Sequence, residues 1–132
     1  MNGVVLALPK VPLALSGTIA GSTRTLVLVR ALCVESVRDL VLVVRVHEVK
    51  IGSGAAMSIR LIPVAPTCED PARDFAASSV LGEAAVVSAS SLVRAACVAA
   101  LPTHVQLVVV ATQGSLLVAI TATVSIELIG RQ

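Results

Sequence analysis

The chain has no tryptophan and no tyrosine, and Phe75 is its one phenylalanine. Single-strand nucleic-acid binders stack bases on aromatic rings, and sugar-binding sites use the same rings as platforms, so both classes are disfavoured. Charge is scarce as well: 14% of the residues are charged, the net charge is +2, and the basic residues are scattered. No stripe of cations marks a nucleic-acid or anionic-membrane footprint. Histidine occurs twice, at His47 and His104, and cysteine three times, at Cys33, Cys68 and Cys97, with no Cys-x-x-Cys pair. Neither a zinc site nor a complete disulfide framework follows from that spacing. The thiols are expected to be free, and buried or half-buried, in a reducing compartment, with one bridge and a leftover thiol as the alternative. Gly-x-Ser-x-Gly, the Walker loop and the dinucleotide fingerprint are all missing. No motif therefore points to an enzyme, a metal or a cofactor.

What the chain has in abundance is aliphatic side chain, with 56% of its residues hydrophobic, mostly Val, Leu and Ala. That content excludes a disordered chain, which lacks apolar surface to bury, and 132 residues suit one domain spanning 1–132. A membrane helix is the first rival, because residues 95–126 carry no Asp, Glu, Lys or Arg. Gln113, Gly114 and Ser115 interrupt that stretch with turn-type residues. After them Leu116, Val118, Ile120, Ala122, Val124, Ile126 and Leu128 alternate with Thr121, Thr123, Ser125 and Glu127. Period two over such a length specifies a strand with one buried face, not a helix. The start of the chain lacks a basic segment, and Pro9, Lys10 and Pro12 break its apolar stretch. No signal peptide and synthesis in the cytoplasm are the expectation.

The same patterning recurs upstream. Leu40, Leu42, Val44 and Val46 share one face of a predicted strand over 40–50, and Met57, Ile59 and Leu61 share one face of another over 55–64. With Gly52, Ser53 and Gly54 between them, these two are expected to form a hairpin. A second hairpin is expected from 105–111 and 116–129. Residues 25–34 and 80–89 also suit strands, and 90–101 suits either a strand or a short helix, with strand preferred. Pro9 and Pro12 confine residues 1–16 to an edge strand or an extended N-terminal arm. Seven or eight short strands punctuated by Gly and Pro predict an all-β fold: an antiparallel β-sandwich, jelly-roll-like or galactose-binding-like.

Candidate chemistry is thin. His47 and Glu48 are neighbours on a strand and are expected to point to opposite faces, which separates them as an acid–base or ligand pair. His104 follows Pro102 and is expected in a loop. Glu69, Asp70 and Asp74 sit in a proline-rich loop beside Arg73, without the ligand spacing of a known Ca²⁺ loop. Apolar residues on both faces of 40–44 and 105–110 exceed what a solitary sandwich needs, and such surplus is usually covered by another chain.

Three segments carry a resemblance: the loop Glu69, Asp70, Pro71, Ala72, Arg73, Asp74, Phe75; the turn Leu101, Pro102 before an apolar strand; and the ending Ile126, Glu127, Leu128, Ile129, Gly130, Arg131. Together they resemble small β-sandwich structural proteins of tailed bacteriophages and phage-like particles, although the aromatic residue such proteins often carry before the proline turn is missing. The resemblance implies a non-enzymatic head-decoration, minor capsid or fibre-associated component. It would be made in the bacterial cytoplasm, reside in a virion, and associate with copies of itself and other capsid proteins, with no sequence-specific nucleic acid and no membrane. Leu6, Leu8, Val11 and Leu13 would form a reaching arm, and Val41, Val43, Val108 and Val110 would add to the assembly interface. The alternative from another class is a ligand-binding module such as a carbohydrate-binding domain.

Overall fold

A computed structural model describes residues 2–15, 19–34, 37–52, 54–63, 85–87, 92–97, 104–114 and 119–131. The strands are β1 (Asn2–Ala14), β2 (Thr23–Cys33), β3 (Asp39–Lys50), β4 (Ala56–Pro63), β5 (Ala85–Val86), β6 (Leu92–Cys97), β7 (His104–Thr112) and β8 (Thr121–Arg131). Among the described residues no helix is long and apolar enough to cross a membrane. The loop with Glu69, Asp70, Asp74 and Phe75, and the Leu101–Pro102 turn, lie outside the described residues, as do Ser53 and Cys68.

Two antiparallel sheets of four strands form the sandwich, one in the order β1-β8-β3-β6 and the other β2-β7-β4-β5. Pairing joins β1 to β8, β2 to β7, β3 to β6 and β4 to β5. First pairs with last and the middle strands pair with each other, as in one long ribbon folded over on itself. That is the jelly-roll order, and it confirms the all-β sandwich expected from the sequence.

The alternating apolar positions become the core. Leu40, Leu42, Val44 and Val46 of β3 and Val124, Ile126 and Leu128 of β8 face Met57, Ile59 and Leu61 of β4 and Leu107 and Val109 of β7, all buried. Val and Ile suit this arrangement because their stiff branched side chains pack well on a pleated surface.

Both expected hairpins are corrected by the topology. β3 and β4 belong to different sheets, as do β7 and β8. The reason is visible at the first connection, where Val49, Ile51 and Ala55 pack against the core. A turn within one sheet would leave those side chains in water, whereas a chain crossing the end of the sandwich buries them. Periodicity reports that a strand has one buried face, and both arrangements satisfy that.

Residues 2–14 are an edge strand, paired along their length with β8. The prolines do not end the strand; the register shifts between Leu8 and Val11, and Lys10 adopts a positive φ of 45°. Gly130 of β8 answers a different need. A Cβ at this buried position would lie 2.7 Å from Val5 Cγ2 and 2.8 Å from Val37 Cγ1, closer than side chains tolerate. Gly130→Val is expected to cost about 1–3 kcal/mol by overpacking, measured by denaturant unfolding. Next to it, Arg131 Nη2 donates to Asp39 Oδ2 at 2.6 Å, closing the β3–β8 ladder. The Gly-Arg ending thus has a local packing role.

Candidate functional site

The large apolar side chains left in water are not scattered. Among the described residues they are Val4 on β1, Leu26 and Val27 on β2, Val86 on β5, Leu92 on β6, and Ile19 in a turn. β1, β2, β5 and β6 are the four edge strands of the two sheets. Central strands β3, β4, β7 and β8 carry none.

The two long edges differ. β1 is blunted: Pro9 and Pro12 lack the N–H a further strand would need, and two register shifts bend its ladder. β2 has eleven residues, no proline, and no residue that is fully buried. Leu28, Val29 and Leu32 pack partly on the core, whereas Leu26 and Val27 stand 39% and 37% exposed. Among the described residues its one neighbour is β7. Such an edge is a template for an added strand, moderated here by Arg24 and Arg30.

The residues expected at an assembly interface fall into three groups. Leu6, Leu8 and Val11 are partly buried against the chain's own core and Leu13 is fully buried, so this stretch lies on the sandwich and does not reach outward as an arm. Val41 and Val43 are half-buried on the outer face of their sheet. Val41 continues a cross-strand row formed with Val4 and Ile129, and this row presents an apolar outer patch. On β7, Val110 is half-buried, but Val108 is shielded within the chain and offers no free surface. Its neighbour Gln106 is wholly buried; Nε2 donates to the Arg30 carbonyl at 3.3 Å, in a bulged part of β2, while Oε1 has no partner among the described residues.

A polar constellation lies at the other end of that outer face. β3 bulges between Val46 and Glu48, β1 bulges between Leu8 and Val11, and both irregularities flank Ser125 on β8. Lys10 N–H donates to Ser125 Oγ at 3.1 Å, and His47 Nε2 shares a hydrogen bond with the same oxygen at 2.7 Å. The bulge corrects the expected separation of His47 and Glu48. His47 reaches outward-facing Ser125, while Glu48 stands opposite Thr123, also on the outer face. An extra residue in a strand re-aims the side chain after it, so neighbours end up on one face. Beside them a cleft of ≈ 730 Å³ opens over the ends of the three strands, lined among others by Pro12, Glu48, Lys50, Thr121 and Thr123.

Chemically, a serine hydroxyl bonded to an imidazole is two parts of a nucleophilic triad. Such a pair needs a third group to orient the ring, and among the described residues none bonds His47. No group of three or more His, Cys, Asp or Glu able to hold a metal is found among the described residues. His104 begins β7 opposite Cys33 and is not in a loop. Cys33 is free and exposed, correcting its expected burial, because it ends an edge strand. Sequence reasoning missed Ser125 altogether. The hydroxyls at Thr121, Thr123 and Ser125 mark an outward face, but nothing in the spelling of β1 and β3 announces bulges that meet there. No protein-family model matches the chain, and neither a curated protein nor a solved structure matches it.

Proposed function

We propose that this is a non-enzymatic structural protein that assembles through its sheet edges into a virion or phage-like particle, as a head-decoration, minor capsid or fibre-associated component. The observation that carries the reading is the placement of the exposed large apolar side chains of the strands, all on edge strands, with β2 the long edge that lacks proline. Jelly-roll sandwiches serve in viral capsids and in lectins alike, so the fold supports the reading by analogy only. The partners are further copies of the chain and other particle proteins, added after synthesis in the cytoplasm.

Light scattering after size exclusion, at several concentrations, tests the reading. The expected result is a discrete oligomer whose share grows with concentration, and a monomer throughout would overturn self-assembly. A ligand-binding module is the second reading, favoured by the cleft at Thr121 and Thr123. It predicts that monomer.

A further inference from the structure

We propose that the paired bulges around Ser125 form a binding site for a tetrahedral oxyanion, a phosphate or sulfate group, with the adjoining cleft taking the rest of the ligand. The inference does not depend on the assembly reading.

Three observations converge. First, strain is concentrated here: among the described residues Lys10 is the one non-glycine with positive φ. That conformation costs about 1–3 kcal/mol, and backbone strain of this kind clusters at ligand sites. Second, the charge around the bulges is mainly positive. Both lysines of the chain, Lys10 and Lys50, belong to this end of the sheet, and Arg45 stands directly opposite Ser125. All three are exposed, as are His47 and Glu48. Third, the hydrogen bonds at Ser125 leave a defined vacancy. A hydroxyl has one donor and two acceptor positions. Lys10 N–H occupies one acceptor position. In the tautomer that carries its hydrogen on Nε2, that N–H fills the second acceptor position and the Ser125 proton is left to point outward. That arrangement offers an anion a free hydroxyl donor among the surrounding cations.

The charged groups around His47 are of both signs, with cations in the majority. On β3 they are Arg45, Glu48 and Lys50, on β1 Lys10, and on β8 Glu127, one row beyond Ser125 and opposite Val43. On β6, Leu92 stands opposite Arg45, and Arg94 opposite Val43. Glu48 opposes the anion but faces Thr123, on the cleft side.

The test is titration of the ¹⁵N-labelled protein with inorganic sulfate. Amide shifts are expected at Lys10, His47, Thr123 and Ser125. His47→Gln and Ser125→Ala should each weaken binding, the latter about tenfold, as for loss of a hydrogen bond to a charged group. Both side chains lie outside the core, so an otherwise unchanged spectrum shows that each variant folds. Shifts centred on Arg24 and Arg30, no shifts at all, or unchanged affinity in Ser125→Ala would each overturn the proposal. A sulfated and a phosphorylated monosaccharide, with the unmodified sugar as control, distinguish the sources. Tighter binding than inorganic sulfate assigns the group to a glycan or sugar phosphate that extends into the cleft, and equal affinity assigns it to the free ion.

Discussion

Replacing Leu26 and Val27 together by lysine is expected to leave a folded chain that no longer assembles. Both side chains are more than a third exposed, and substitutions at such sites shift stability by about 0.5 kcal/mol or less. In an assembly built on the β2 edge they would be covered. Losing roughly 0.8 kcal/mol of apolar burial at each of two residues in each of two chains removes about 3 kcal/mol. That weakens association roughly a hundredfold before any repulsion between the new charges is counted. Circular dichroism should be unchanged while the scattering mass falls to that of one chain. The same pair of lysines at Val41 and Val43, on the outer face, should have little effect if the edge is the interface and a large one if the face is.

The second large effect concerns the core. Ile126 is wholly buried on β8, between Leu8 of β1 and Val44 of β3. Ile126→Ala removes three carbons from a layer built, among the described residues, of aliphatic side chains. The expected loss is about 2–5 kcal/mol, toward the upper end because short stiff neighbours relax little. Thermal unfolding should fall by about 10 °C or more for a chain of this size. A loss below 1 kcal/mol would show that the sandwich interior is loosely packed.

The alternation that places Leu40 through Val46 and Val124 through Leu128 inside was legible in the sequence, because period two depends on the pleat alone. Which sheet each strand enters was not. A turn at Gly52 and Gly54 can close a hairpin or cross the end of the sandwich, and half-buried Val49, Ile51 and Ala55 decide for the crossing only once their surroundings exist. Pro9 and Pro12 foretold an edge, and they lie on one. The surroundings of Ser125 were illegible for a related reason. Bulges arise when two strands of unequal local length are pinned on either side of a third, and that is a property of three segments far apart in sequence. The same blindness misplaced His47 and Glu48, since strict alternation fails at the extra residue. The exposed edge of β2 had only a partial signal. Residues 25–34 suit a strand, but an apolar strand at an edge and one in a core are spelled alike.

The most direct measurement is amide hydrogen exchange along β2 at increasing protein concentration. Among the described residues β2 pairs with β7 alone, so the amides on the side away from β7 form the outward set. If copies join through this edge, the outward amides become protected as concentration rises, while those of blunted β1 do not. Outward β2 amides that exchange freely at every concentration, even where the mass shows an oligomer, would contradict assembly through β2.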